Sequence, residues 1–122
     1  GVLPQSAKNF KVKGKKIAER NNLLKDAKTL EELGVFSIVL ECVESSLSKK
    51  ITNTIKIPTI GIGASVHCDG QVLVTDDLIG LNFIKARFVK KFANITKHIN
   101  TAIINYKNEV KKKKFPNKAN SY

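Results

Sequence analysis

The chain has 122 residues and a formal charge of +12, and 42% of its residues are hydrophobic. The length is sufficient for one small domain, and the hydrophobic fraction is sufficient for a packed core. This fraction also argues against a chain that is disordered throughout. The sequence has no run of about 18 apolar residues that could span a membrane, and the polar, lysine-rich start lacks the apolar centre of a signal peptide. Two distant cysteines, Cys42 and Cys68, exclude a disulfide scaffold or zinc ribbon. We therefore expect a reduced, cytoplasmic protein without a membrane partner.

The positive charge comes almost entirely from lysine, because the chain has twenty lysines and two arginines against ten acidic residues. Such a balance is typical of proteins that bind nucleic acid or anionic surfaces. Asparagine and isoleucine are also abundant, however, and the codons of all three residue types are AT-rich. We attribute the positive charge to a mutational bias of the genome towards AT-rich codons. A lysine-rich, non-enzymatic nucleic-acid-binding module remains the alternative hypothesis.

The first part of the chain predicts a loop and a helix. Residues 1–16 contain Pro4, Gly14 and several lysines and are interpreted as loop. From about residue 17 to residue 33 the apolar positions recur at helical spacing, and Gly34 is a natural stop. The apolar face of this helix contains Leu23, Leu24, Ala27 and Leu30.

Strands and helices then alternate. Residues 35–43 form an apolar, β-branched run, typical of a strand buried on both faces. Ser45 or Ser46 is placed to cap the next helix, whose buried face is predicted from a spacing of four residues. The residues of that face are Leu47, Ile51 and Ile55. Pro58 opens a second apolar run that continues to Ala64, and residues 71–74 are a third short strand.

The remainder is predicted to be mostly helical. A short turn around residues 77–79 precedes Gly80, and a long amphipathic helix follows. Its apolar stripe consists of Ile95, Ile99, Ala102, Ile103, Tyr106 and Val110. Lysines 111–114 suit a helix C-terminus, and Phe115-Pro116 ends the helix. We predict a loose tail over residues 117–122.

This alternation predicts a parallel α/β sheet. Three parallel strands alone leave open edges and a half-covered sheet, so we expect a piece of a larger sheet or barrel. The opening segment, Gly1 to Ser6, likewise resembles the middle of a longer chain.

Ligands bind at the carboxyl ends of strands in such folds, and Glu41 lies at the end of the first strand. A carboxylate directly after the apolar strand residues Ile38, Val39 and Leu40 is costly to bury, and desolvation would raise its pKa towards the range of a general acid or base. A structural carboxylate that binds a backbone amide or a lysine is the equally weighted alternative.

Two further features lie at the end of the second strand and in the region that follows it. Small residues at 61–64 allow close approach of a ligand, or tight packing, but match neither a dinucleotide fingerprint nor a P-loop. Residues of the types that bind metal ions also occur after the second strand. Their spacings match no known metal-binding motif, so we predict no metal site from this chain alone. These residues are His67, Cys68, Asp69, Asp76 and Asp77. Asp69-Gly70 is interpreted as a turn, and His98 as a surface residue.

Several motifs, in order and with matching gaps, resemble the ketopantoate hydroxymethyltransferase family. The internal motifs are Leu40-Glu41-Cys42-Val43, Ile60-Gly61-Ile62-Gly63-Ala64 and Cys68-Asp69-Gly70-Gln71-Val72-Leu73-Val74. The segments nearer the ends are Gly1-Val2-Leu3-Pro4-Gln5-Ser6, Phe10-Lys11-Val12-Lys13-Gly14, Phe115-Pro116 and Asn120-Ser121-Tyr122.

The resemblance implies the C-terminal half of a (β/α)8 TIM barrel, strands six to eight with their helices, over residues 1–116, with a tail at 117–122. It implies transfer of a one-carbon unit from 5,10-methylenetetrahydrofolate to 3-methyl-2-oxobutanoate, giving ketopantoate, while Mg²⁺ holds the oxo acid. Glu41 matches the family's general base, whereas the Mg²⁺ ligands and other substrate-binding residues belong to the N-terminal half. The resemblance also implies a decamer of barrels for the intact enzyme. We expect the chain alone to be inactive and poorly soluble.

Four departures from the family pattern are visible. Ser65 stands in place of a third glycine, Asp76 in place of histidine, Glu44 in place of a proline, and Val2-Leu3 in place of Leu-Thr. The changes at positions 65 and 76 lie near the expected site and leave a decayed, inactive family member as a further hypothesis.

Overall fold

The computed structural model describes residues 10–82 and 85–122. The loop predicted for residues 1–9 and the opening motif therefore lie outside the described residues. The elements are α1 (Ile17–Glu32), β1 (Ile38–Glu41), α2 (Ser45–Thr52), β2 (Thr59–Ile62), β3 (Gly70–Gln71), α3 (Thr75–Ile79), α4 (Ile95–Lys111) and a final 3₁₀ turn (Lys118–Asn120). Two compact units form, one from residues 10–73 with 85–89 and the other from residues 74–82 with 90–122.

The first unit contains a parallel sheet in the order β1-β2-β3, which confirms the predicted α/β class. Ile38 pairs with Thr59 at one end of the β1-β2 ladder, and Glu41 pairs with Ile62 at the other. The third strand is shorter than predicted and begins one residue earlier, at Gly70.

The segment before α1 also contacts the sheet, although it was predicted only as loop. Lys13 forms an isolated parallel bridge with Val43. Its N–H donates to the carbonyl oxygen of Cys42 at 2.8 Å, and its own carbonyl oxygen accepts from the N–H of Glu44 at 2.8 Å. The chain that leaves β1 is therefore held by backbone hydrogen bonds on this side.

Helices α1 and α2 cover one face of the sheet and enclose the core. Its buried members are Ala27, Leu40, Val43, Leu47, Ile51, Ile55 and Cys68. The predicted apolar face of α2 is confirmed for Leu47 and Ile51, which are each 1% exposed. Ile55 is also buried, at 6% exposed, but it lies beyond the helix, which ends at Thr52.

The helix ends show one correct prediction and one wrong prediction. Gly34 ends α1 with a φ of +83°. Its N–H donates to Glu31, and the next N–H, that of Val35, donates to Leu30, which is the Schellman pattern. At the start of α2 the cap is Glu44, not Ser45 or Ser46: its carboxylate accepts from the N–H groups of Ser46 and Leu47.

The prediction that β1 is buried on both faces is wrong. Leu40 is 6% exposed, whereas its neighbour Val39 is 59% exposed. Side chains alternate between the faces of a strand, and α1 and α2 pack only against the face that carries Leu40. The face that carries Val39 and Glu41 remains open among the described residues.

The second unit contains α3 and α4. The predicted short helical turn before Gly80 is confirmed, and Gly80 ends α3 in the left-handed region. Its carbonyl oxygen accepts a hydrogen bond from the Thr96 hydroxyl. The long helix is also confirmed, but no residue of α4 is buried, and Ile103 and Tyr106 of its stripe are 58% and 57% exposed. The segment predicted as a loose tail contains the 3₁₀ turn. None of the helices in the described ranges has the length and apolar character needed to cross a bilayer.

Candidate functional site

Glu41 is the last residue of β1 and lies at the carboxyl end of the sheet, as predicted. It is half-buried and pairs through its backbone with Ile62 of β2. Alternation along the strand places it on the open face with Val39, away from the helices. Among the described residues, no lysine or arginine forms an ion pair with its carboxylate.

Cys42 gives the chain a sharp change of direction directly after Glu41. Its φ is +52°, in the left-handed region that non-glycine residues rarely adopt. The conformation is held by hydrogen bonds from the Cys42 N–H to Ile62 at 2.9 Å and from the Lys13 N–H to the Cys42 carbonyl at 2.8 Å. Such outliers cluster at functional sites. The sequence gives no signal for this turn, because the apolar run continues through Cys42 to Val43.

The Cys42 thiol is not activated as a nucleophile. Burial raises its pKa above the ordinary value of 9.0, and the negative charge of Glu41 raises it further. The thiol therefore stays protonated at neutral pH and acts as a small apolar side chain.

An open cleft of about 750 Å³ lies in the first unit, beside the carboxyl ends of β1 and β2. Cys42 and Gly63 contribute to its wall, but Glu41 is not among the lining residues. The cleft also receives Lys15 and Arg87, which the sequence did not single out. Arg87 lies in a segment with no strong helix or strand pattern, so only the folded chain brings it to this end of the sheet.

The small residues at the end of β2, Gly61 within the strand and Gly63 directly after it, are explained by close packing. A Cβ at Gly61 would lie 2.8 Å from the Gln71 side chain, and one at Gly63 would lie 2.7 Å from Cγ of Phe88. Gly63 also has a φ of +64°. These contacts support the packing interpretation, while Gly63 also borders the cleft.

The two departures closest to the sheet make specific contacts. The side chain of Ser65, which is 4% exposed, accepts hydrogen bonds from the Ser45 hydroxyl and the His67 N–H, each at 3.2 Å. The Glu44 carboxylate accepts from Arg20 at 2.7 Å and from the Ser46 hydroxyl at 2.6 Å, besides capping α2. The bonds from Ser46 first, and then from Arg20, lower the pKa of Glu44 from 4.5 to about 2. Both residues therefore stabilise the connection after β1.

The potential metal-ligand residues do not converge. Asp69 is more than a turn residue, because its carboxylate accepts from the Thr59 N–H and hydroxyl, and these bonds lower its pKa. Asp77 is buried, and its Oδ1 has no hydrogen-bond partner among the described residues, whereas Asp76 and His98 are exposed. Across residues 10–82 and 85–122, no group of three or more His, Cys, Asp or Glu side chains is arranged to hold a metal ion.

A parallel α/β sheet with a carboxylate and an open cleft at the carboxyl ends of its strands has the layout of an α/β enzyme site. The sequence model of the ketopantoate hydroxymethyltransferase family matches residues 1–118. The chain belongs to this family.

Individual relatives agree. The chain is 71% identical over its full length to 3-methyl-2-oxobutanoate hydroxymethyltransferase of Pelagibacter ubique, covering 48% of that protein. It is 46% identical to the enzyme of that name from Syntrophus aciditrophicus and 47% identical to one from Clostridium botulinum, again over its full length and covering 46% of each. The chain thus spans about half the length of the curated relatives it matches. These relatives do not favour the nucleic-acid-binding alternative.

Proposed function

We propose that this chain is part of an enzyme that transfers a hydroxymethyl group from 5,10-methylenetetrahydrofolate to 3-methyl-2-oxobutanoate, giving ketopantoate for pantothenate biosynthesis. The observation that carries the proposal is the position of Glu41 at the carboxyl end of β1 in a chain that matches this family along its length.

Glu41 is proposed as the general base that removes the proton from C3 of the oxo acid. The resulting enolate carbon forms the new carbon–carbon bond to the one-carbon unit, whose two carbon–nitrogen bonds to the folate break. Water supplies the hydroxyl oxygen of the hydroxymethyl group, and tetrahydrofolate leaves. Two carboxylates lie in this segment, and their surroundings support different roles. Glu44 is held by Arg20, Ser46 and the start of α2 with a pKa of about 2, so it is a poor proton acceptor at neutral pH. Glu41, half-buried and without an ion pair in the described ranges, is better placed to accept a proton.

Bound Mg²⁺ would polarise the keto and carboxylate oxygens of the oxo acid and favour the enolate. The described residues do not fit such a site, because they contain no suitable ligand cluster. We therefore assign the metal ligands to the part of the enzyme that this chain does not span.

The chain is proposed to form strands six to eight of a (β/α)8 barrel over residues 1–116, with a tail at 117–122, in a cytoplasmic enzyme that assembles as a decamer. The parallel order of β1-β2-β3 supports a barrel-type sheet, and the open face around Val39 supports a further segment that covers it. The chain by itself would then be inactive and poorly soluble, since its strand edges and sheet face are exposed.

The test is proton exchange in a completed enzyme. A chimaera is made by replacing the aligned segment of the Pelagibacter ubique relative with this chain, and loss of the C3 proton of 3-methyl-2-oxobutanoate is followed in D₂O with Mg²⁺. This readout needs no folate. We expect exchange in the chimaera, loss of exchange in Glu41→Gln, and retention in Glu32→Gln, a matched change at the exposed end of α1.

Two results would overturn the proposal. Exchange that survives in Glu41→Gln would exclude Glu41 as the base. A folded chimaera that shows no exchange, while the Pelagibacter ubique protein does, would favour a decayed family member.

A further inference from the structure

Two short turns leave the neighbouring strands β1 and β2 side by side. Residues 42–45, the turn after β1, follow Glu41, and residues 63–65, the turn after β2, follow the end of that strand. Each turn begins with a residue in the left-handed region, Cys42 with a φ of +52° and Gly63 with a φ of +64°. Both strands therefore end in a sharp change of direction at the carboxyl edge of the sheet.

Hydrogen bonds join the two turns at both ends. Next to the strands, the Cys42 N–H donates to the carbonyl oxygen of Ile62 at 2.9 Å. Away from the strands, the Ser45 hydroxyl donates to the hydroxyl oxygen of Ser65 at 3.2 Å. The two turns thus form a closed ring beside Glu41, and the contact that closes it at the far end is made by two hydroxyl groups.

Ser65 is itself held by β3 and by the residues that follow it. Its hydroxyl oxygen also accepts from the His67 N–H at 3.2 Å, and its carbonyl oxygen accepts from the Cys68 N–H at 3.2 Å and the Gln71 side-chain amide at 2.8 Å. Ser65 is buried, so water has little access to replace a bond that its hydroxyl loses. The bond to Ser45 therefore connects the turn after β1 to a fixed point of the sheet.

The turn after β1 is held from its other side by residues that precede β1. Lys13 forms the parallel bridge with Val43, and Arg20 binds the Glu44 carboxylate at 2.7 Å. Ser65, in contrast, comes from the turn after β2. The turn after β1 is thus clamped from both sides, and removal of the Ser65 hydroxyl would free one of them.

We infer that Ser65 is a positioning residue for proton removal: through Ser45, its hydroxyl fixes the turn that sets the direction of the Glu41 carboxylate. The inference rests on the proposed function, because it takes Glu41 as the base. A catalytic group that is displaced by about 1 Å can lose a rate factor of about a hundred. One bond of a ring that stays closed at other points should allow a smaller displacement, with a loss of about tenfold.

The test measures kcat and KM for loss of the C3 proton of 3-methyl-2-oxobutanoate in the chimaera. Ser65→Ala and Ser45→Ala should each lower kcat about tenfold with little change in KM, because they displace the base and leave substrate binding intact. The double variant should lose no more than the weaker single variant, since both substitutions break the same bond. Losses that multiply in the double variant, or an unchanged kcat in Ser65→Ala, would overturn the inference.

Thr52→Val is the matched control, because it removes a second hydroxyl contact between α2 and the β2 segment. Ser45 begins α2 and Thr52 ends it, and the Thr52 and Thr59 hydroxyl oxygens are 2.8 Å apart at the amino end of β2, away from Glu41. We expect Thr52→Val to lower the urea midpoint, as Ser65→Ala does, and to leave kcat unchanged. An equal loss of kcat in the control would reflect lower stability alone and would overturn the inference.

Backbone amide exchange distinguishes failure of this inference from failure of the proposed function, because it needs no activity. It is followed by mass spectrometry on peptides of the chimaera that cover residues 42–46 and 66–71, neither of which contains position 65. We expect faster amide exchange in both peptides of Ser65→Ala and in neither peptide of Thr52→Val.

The two readouts together give a separate result for each claim. If the folded chimaera does not exchange the C3 proton, the proposed function fails, and faster amide exchange at residues 42–46 in Ser65→Ala still supports Ser65 as the residue that holds the turn after β1. Unchanged amide exchange at residues 42–46 in Ser65→Ala overturns the inference, and the proposed function stands if C3 exchange is present.

Discussion

Replacing Gly63 with alanine should destabilise the first unit through two separable effects. The φ of +64° at this position is unfavourable for any residue with a Cβ, at a cost of about 1–2 kcal/mol. The new methyl group would also lie 2.7 Å from Cγ of Phe88, so the ring must move. Displacing Phe88 from its edge-to-face contact with Phe10 should add about 0.5–1.5 kcal/mol.

A second glycine provides the matched control. Gly34 has a φ of +83°, but a Cβ there would have no atom within 4 Å. Gly34→Ala therefore has only the cost of the left-handed backbone, and part of that cost is offset because alanine lowers the entropy of the unfolded chain. The free energy of unfolding should fall by about 1 kcal/mol. Gly63→Ala should lose about 2 kcal/mol by the same reasoning with the ring displacement added.

The free energies of unfolding are measured by urea denaturation of the chimaera. Equal destabilisation by both substitutions would refute the role assigned to the close approach of Phe88. If neither substitution lowers the free energy of unfolding, the left-handed conformations of Gly34 and Gly63 are refuted.

Three further predictions concern stability. Glu44→Gln should lower the urea midpoint at pH 7. Because the folded pKa of Glu44 is lowered from 4.5 to about 2, the difference in midpoint from the parent protein should shrink as the pH falls from 4.5 towards 2. A difference that stays constant over this pH range would contradict the assigned ionic contacts. Leu47→Ala, at a core position that is 1% exposed, should cost about 3 kcal/mol in the same assay, and a loss below about 1 kcal/mol would contradict its place in the core. Lys113→Gly should raise the urea midpoint, because Lys113 follows α4 with a φ of +55°, which glycine adopts without steric strain. The backbone strain removed is about 1 kcal/mol. A lowered midpoint would contradict the left-handed conformation of Lys113.

Local patterns predicted the elements well where one physical factor decides them. The spacing of Leu47 and Ile51 predicted the buried face of α2, and Gly34 predicted the end of α1, because periodicity and backbone freedom act within a few residues. Glu41 was predicted to lie near the carboxyl end of an apolar run that continues to Val43, and the strand ends at Glu41 itself because Cys42 turns the chain in the left-handed region.

Other features depend on contacts that sequence spacing does not reveal. The cap of α2 is Glu44 because Arg20, from the preceding helix, lies close enough to bind the same carboxylate. The exposure of Val39 depends on which face of β1 the helices cover, and an apolar run gives no information on that point. The cleft was missed because Lys15 and Arg87 are distant in sequence and meet only in the folded chain.

The most direct test of the central claim compares the two carboxylates of one segment in the chimaera. Deuterium exchange at C3 of 3-methyl-2-oxobutanoate is measured in Glu41→Gln and in Glu44→Gln, at a temperature where both remain folded. We expect exchange to be lost in Glu41→Gln and retained in Glu44→Gln, which should differ from the parent chimaera mainly in stability. Exchange retained in Glu41→Gln and lost in Glu44→Gln would contradict this expectation and assign the base to the other carboxylate.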